Sequence, residues 1–140
     1  MSDKFFLDTN IFVYSFDSGS PNKRDRALQL IRTGLSTGQS IVSYQVIQEF
    51  FNVALRRFAP PMSVPEAQQY LSSVFRPMFA IHSSPALYFE ALGISEKHAI
   101  SWYDSLILAA AIAGECAVLY SEDFQHGRKF EHLTIESPFA

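Results

Sequence analysis

Four carboxylates stand in the sequence where a sheet-based site would need them. Asp8 closes the apolar run Phe5-Phe6-Leu7, and Asp123 follows just beyond Val118-Leu119-Tyr120. Glu49 lies six residues past Ser43, and Asp104 opens the apolar stretch Tyr103 to Ala113. Open parallel sheets bind ligands at the carboxyl ends of their strands. Strands ending near residues 8 and 121, with helices opening ahead of Glu49 and at Asp104, would bring all four groups to one rim. Like charges a few ångströms apart repel and raise one another's pKa, so such a convergence calls for cations. Magnesium and manganese fit, because they take carboxylate oxygens and keep waters for a phosphate substrate. Two such ions ~3.5–4 Å apart activate a water and stabilise the leaving oxygen of an in-line phosphodiester displacement.

The elements that must position these groups are legible from periodicity and punctuation. Lys4–Leu7 reads as a buried strand and Thr9–Tyr14 as a short helix. A second helix opens at Ser20 or Pro21 and runs to about Thr33, with Ala27, Leu28, Leu30 and Ile31 inward and Gly34 or Gly38 near its end. Ser40–Ser43 is a strand. The helix after it extends to about Phe58, its apolar arc formed by Val46, Ile47, Phe50, Phe51, Val53 and Ala54. At ~100° per residue Glu49 falls roughly 40° outside that arc, on the rim of the buried face. Ala59-Pro60-Pro61 breaks the helix.

Further on, Pro65 to about Phe75 reads as a helix with Ser63 as its cap and Pro77 after its end. Phe79–Ile81 is a third strand, and Pro85 to about Lys97 is again helical. Tyr103–Ala113 is apolar nearly all round, as in a helix buried on most sides, and Gly114 suits its C-terminus. Ala117–Tyr120 and Leu133–Ile135 complete about five short strands. Strands alternating with helices imply an α/β fold with a central, mostly parallel sheet flanked by helices.

The chain has 140 residues, enough for a single domain over residues 1–140 with a real core. Its one cysteine, Cys116, leaves no internal disulfide or zinc cluster to build, and the expected state is a small buried thiol. The longest apolar run, Leu106–Ala113, is too short to span a bilayer. The first residues lack the pattern of a signal peptide. A soluble cytoplasmic protein without membrane association is the expectation. Proteins that hold nucleic acid usually present a basic surface, whereas the net charge here is −3. Two bound divalent cations would turn that to about +1, so the charge neither suggests nor excludes an RNA substrate.

Four segments resemble the motifs of the PIN-domain family. They are Phe6-Leu7-Asp8-Thr9-Asn10, Ser43–Phe50 around Glu49, Asp104–Ala111, and Leu119–Phe124 with Gly127. Each is short and common, but together they stand in the family's order over nearly the whole chain. The resemblance implies a PIN-like fold and an endoribonuclease using Mg²⁺ or Mn²⁺, one or two ions. It makes Asp8, Glu49, Asp104 and Asp123 the catalytic set and the metal ligands, direct or through water. Asn10 and Ser121 become supporting polar groups, with Thr9 a further candidate, and Glu122 stays open for the fourth acidic role. The small size is similar to toxins of the VapC type, which implies a toxin–antitoxin ribonuclease, a cognate antitoxin partner and a homodimer.

Other readings compete. Asp8 and Asp104 are acceptable helix caps, Glu49 an ordinary helix residue, and Asp123 a turn residue. The basic groups Arg56, Arg57, Arg128 and Lys129 are either solvated faces or contacts to RNA phosphates. Tyr44, Trp102 and Tyr103 flank two acidic motifs and are candidates for base stacking or for core packing. No Gly-rich phosphate loop occurs. The histidines have no ligand-spaced partners. A phosphatase using Asp8 as nucleophile would want a second Asp two residues later, where Asn10 stands. A PIN-like RNA-binding or scaffolding protein without catalysis is the main alternative to the ribonuclease.

Overall fold

The computed structural model describes residues 2–140. β1 (Phe5–Leu7) leads into α1 (Thr9–Tyr14) and α2 (Pro21–Thr37). β2 (Ser40–Ser43) is followed by α3 (Tyr44–Ala54) and α4 (Val64–Tyr70). A π-helical turn, Leu71–Phe75, joins α4 to the short α5 (Arg76–Met78), then β3 (Phe79–Ile81), α6 (Pro85–His98) and α7 (Trp102–Ala113). β4 (Val118–Tyr120), β5 (Lys129–Phe130) and β6 (Leu133–Glu136) end the fold.

The sheet runs β3-β2-β1-β4-β6-β5, with all neighbours parallel except the β5–β6 hairpin. β1 is central and both faces of the sheet are covered, which explains why Phe6 and Leu7 are both fully buried in one short strand. The sixth strand, β5, is two residues long and escaped the sequence reading because it carries no periodicity. From β1 the chain winds outward to β2 and β3 on one side, while β4 and β6 lie on the other. The direction of winding thus reverses between β1 and β4, and such a switch point opens a crevice outside the carboxyl ends of those strands.

Three helix ends differ from expectation. α2 continues past Gly34 to Thr37, because Gly34 packs directly on Ser40, and Gly38 ends it in the left-handed conformation at φ 70°. α3 stops at Ala54 rather than near Phe58, since the chain doubles back and the Met62 N–H caps the Ala54 carbonyl at 2.9 Å. Helical structure continues through Pro77 to Met78, by way of the π-helical turn, in which the Arg76 N–H bonds back to the Leu71 carbonyl. The Ser63 cap is present, with the reciprocal Glu66 contact of a capping box. Cys116 is buried, and burial pushes its thiol up to about 12.

An aromatic cluster fastens α1 to α3 and α4. Phe50 is fully buried at its centre, with the rings of Phe12, Phe16, Phe51, Phe58, Tyr70 and Phe75 at centroid distances of 5.1–6.4 Å. Phe12 follows Asp8 by one helical turn and Phe50 follows Glu49 directly. The same cluster therefore holds both acidic elements in register.

Candidate active site

Asp8 and the loop after β4 meet at the crevice between β1 and β4. The Asp8 N–H donates to the Tyr120 carbonyl at 3.1 Å, which carries the parallel pairing one residue past β1. Its carboxylate is 3% exposed. The Thr9 N–H donates to Oδ1 and the Ser121 hydroxyl donates to Oδ2, each at 2.7 Å. Ser121 Oγ in turn accepts the Asp123 N–H at 3.0 Å. One hydroxyl thereby ties both aspartates together. Asp8 caps α1 as well as facing the crevice, so the capping role and a functional one coexist in one side chain.

Glu49 reaches the same place from α3. Its Oε2 accepts from the Thr9 hydroxyl at 3.2 Å, and its Oε1 accepts from Gln45 Nε2 at 2.7 Å. Gln45, one turn earlier on the helix, also donates to the Tyr103 carbonyl at 3.1 Å. It joins α3 to the start of α7. Sequence reasoning passed over Gln45, although i to i+4 spacing from Glu49 was the available signal.

Asp104 lies in the first turn of α7 rather than at its cap, which is Ser101. Glu122, the open candidate, turns to Lys23 at 3.2 Å, where Lys23 also lies over the Tyr14 ring. Of the basic candidates, Arg57 lines the cleft with Asp8, Glu49 and Asp123, while Arg56, Arg128 and Lys129 do not. Arg128 stacks over Phe130 at 4.5 Å. Lys129 lines a separate cavity at the amino ends of β4 and β6.

The electrostatics follow from burial and crowding. Burial pushes the Asp8 carboxyl up to about 7 against the pull of its two hydrogen bonds, and the charges of Asp123 and Glu49 push it the same way. Asp123 is raised too, first by desolvation and then by the negative charge of Asp104, while its contact with Asp8 pulls it down. Among the described residues, none of the four carboxylates has a Lys or Arg within ion-pair distance. Nor do three of them close around one point as a ready cage. Asp8, Glu49 and Asp123 share the cleft lining, and Asp104 acts on Asp123 through its charge.

That arrangement suits a hard divalent cation. The donors are all oxygen, and among the described residues they lack compensating cations and the buried Oδ1 of Asn10, which lines the cleft, has no partner. Magnesium in particular needs only one or two carboxylates and completes its octahedron with water. The cleft holds about 860 Å³ and continues from the acids to an apolar wall of Phe16, Phe58, Pro60, Pro61 and Met62.

The PIN domain family model matches residues 5–130. The chain belongs to the PIN domain family. No curated protein matches the sequence. A toxin–antitoxin complex from Klebsiella pneumoniae contains a chain that superposes with TM-score 0.70 at 17% identity, covering 96% of this PIN domain and 98% of that chain. Mycobacterium tuberculosis VapC20, described as a sarcin-ricin loop cleaving toxin, gives TM-score 0.62 at 18% identity over 86% and 90%. VapBC2 from Rickettsia felis, bound to a DNA fragment from its promoter, gives 0.62 at 20% identity over 94% and 96%. These likenesses establish that the fold is PIN-like over essentially the full length. Among the described residues, no helix of this PIN domain is long and apolar enough to cross a membrane.

Proposed function

We propose that this PIN domain is a divalent-metal-dependent endoribonuclease that hydrolyses RNA phosphodiester bonds, acting in the cytoplasm as the toxin of a type II toxin–antitoxin pair. The observation that supports the reading is a buried Asp8 carboxylate at the β1/β4 switch point of a PIN fold, sharing its cleft with Glu49 and Asp123 and, among the described residues, without an ion-pair partner. Asp8, Glu49, Asp104 and Asp123 would hold Mg²⁺ or Mn²⁺, directly or through water. The bound metal would supply a more acidic attacking water and charge stabilisation for the leaving oxygen.

The chain's own groups do the positioning. Thr9 and Ser121 hold the two oxygens of Asp8, while Gln45 and the Thr9 hydroxyl hold those of Glu49. Asn10 offers its free carbonyl oxygen to a water or to the substrate. Arg57 supplies a positive group on the cleft wall for a flanking phosphate. The apolar continuation of the cleft fits an amphipathic antitoxin segment whose Arg pairs with the carboxylates and competes with metal. The named activities and partnerships of the VapC-type neighbours support this direction.

The test is cleavage of a mixed cellular RNA pool by protein freed of any antitoxin, with Mg²⁺, with Mn²⁺ and with chelator, beside Asp104→Asn. Cutting that requires metal and vanishes in the variant is the expected result. Equal cutting by the variant overturns the site assignment. A non-catalytic RNA-binding role draws on one observation, the lack of a three-carboxylate cage. RNA retention of equal strength in metal and in chelator, with no cutting, would favour that role.

A homodimer belongs to the same proposal. Phe89 and Leu92 stand exposed on α6 at i and i+3, at 78% and 58%. Oligomer interfaces cover such residues. Phe89→Asp is expected to convert a dimer to a monomer in light scattering while leaving the circular dichroism unchanged. A parent protein that is already monomeric overturns the dimer.

A further inference from the structure

A second pocket of about 190 Å³ lies next to Glu49, with Gln45, which donates to the Glu49 carboxylate, in its lining. Its walls include Ser43, Tyr44, Gln48, Tyr88, Trp102 and Tyr103. We propose that this pocket receives one unpaired nucleobase of the RNA, adjacent to the phosphodiester presented at the acidic rim. The assignment rests on the ribonuclease reading above and names its substrate class: RNA with a splayed-out base, as in a loop, a bulge or a single strand.

Four observations converge on a base. The volume holds several waters or one flat heteroaromatic ring. Tyr44, Tyr88, Trp102 and Tyr103 line the pocket beside the aliphatic Ile81, Leu87, Leu106 and Ala110. Tyr44 packs against Phe79 at 4.7 Å and His82 at 4.9 Å, and Trp102 packs against Tyr88 at 5.8 Å. Tyr103 is 65% exposed, leaving its ring free to stack. Among the described residues no charged one lines the pocket, which suits it to the neutral base rather than to a phosphate. Ser43, 4% exposed, has a hydroxyl with no hydrogen-bond partner among the described residues, a cost that a ligand's polar edge would remove. The Gln48 side chain adds an amide donor and acceptor at the mouth.

The pocket is wired to the acids. Tyr103 directly precedes Asp104, and Gln45 Nε2 bridges the Glu49 carboxylate to the Tyr103 carbonyl. Unstacked bases held on aromatic side chains are the usual means of reading single-stranded RNA. A base in this pocket would set where along the strand the neighbouring phosphate meets the rim. Sequence alone left Tyr44, Trp102 and Tyr103 divided between packing and stacking. Ser43, Gln48 and Tyr88 join them only in the fold.

Trp102 is the sole tryptophan, so its fluorescence reports on this pocket directly. The full chain is titrated in chelator, where no cutting intervenes, with the four homotrinucleotides and with an abasic ribose-phosphate trimer. Saturable quenching by at least one homotrinucleotide and none by the abasic trimer is expected. Tyr103→Ala should weaken that binding about 5- to 150-fold, the range of one stacked base, while Tyr103→Phe retains it. The proposal is overturned by absence of quenching, by quenching equal in Tyr103→Ala, or by an emission change on dilution of protein alone with no response to RNA. The last result would assign the pocket to contact between two copies. Quenching without any metal-dependent cutting would leave the pocket standing and overturn the nuclease reading. Cutting without quenching would do the reverse.

Discussion

Asp8→Asn is expected to abolish metal-dependent RNA cleavage and, in chelator at pH 8, to raise the stability of the fold. Loss of cleavage should be at least ~100-fold, because even partners one step removed from a metal are worth about 10–100-fold. The gain in stability follows from the same carboxylate. Asp8 is buried and held near pKa 7, chiefly by desolvation and further by Asp123 and Glu49. Its folded-state pKa lies above the unfolded value of 3.8. The native state without metal therefore binds that proton more tightly than the unfolded chain does. The stabilisation from this group is fully present below about 3.8 and lost as pH rises through about 7.

Asn keeps the shape, accepts from the Thr9 N–H and carries no charge. In chelator at pH 8 it should restore on the order of a few kcal/mol. Added Mg²⁺ should stabilise the parent by mass action, more at pH 8 than at pH 5.5, and leave the variant unmoved. Thermal melts at both pH values, with and without Mg²⁺, read all of this at once. A variant less stable than the parent in chelator at pH 8, or one that still cuts, would remove Asp8 from the metal-holding set.

The second large effect concerns the scaffold. Phe50→Ala should cost about 3–5 kcal/mol, the usual penalty for deleting a fully buried ring. Total stabilities are about 5–15 kcal/mol, so much of the fold's margin is at stake. The ring is the hub of the aromatic cluster, and Tyr70 lies stacked on it at 5.1 Å. Its removal opens a cavity that six neighbours cannot close together, since they come from α1, the loop after it, α3, α4 and the segments on either side of α4. Urea denaturation followed by circular dichroism gives the magnitude. Phe50→Leu should cost clearly less, because it leaves a smaller void. Because Phe50 adjoins Glu49 and packs on Phe12, activity of the Ala variant should fall even at temperatures where it remains folded. A loss below ~1 kcal/mol would mean that the cluster repacks freely and does not brace the acidic rim.

Much of this protein is legible in the sequence because the relevant forces are local. Phe5-Phe6-Leu7 must be a strand buried on both faces, and the eleven apolar-rich residues from Tyr103 to Ala113 must be a buried helix, whatever surrounds them. The motif order around Asp8, Glu49, Asp104 and Asp123 was readable for the same reason, since each acid stands just past a strand or in the first two turns of a helix. Strand β5 was not legible, because two residues have no period and pair only when β6 is already present. The ends of α2 and α3 depended on Ser40 and Met62, which arrive from elsewhere in the chain.

Tertiary structure alone decided how the charges stand to one another. It buried Asp8 against Ser121, sent Glu122 away to Lys23, and brought Asp8, Glu49 and Asp123 to one cleft. It kept Arg57 at the cleft and carried Lys129 to the opposite end of the sheet. Periodicity determines which side of an element faces inward. Coulombic interaction and desolvation depend on distances between groups more than a hundred residues apart, such as Asp8 and Ser121, and those distances exist only once β1 and β4 lie side by side.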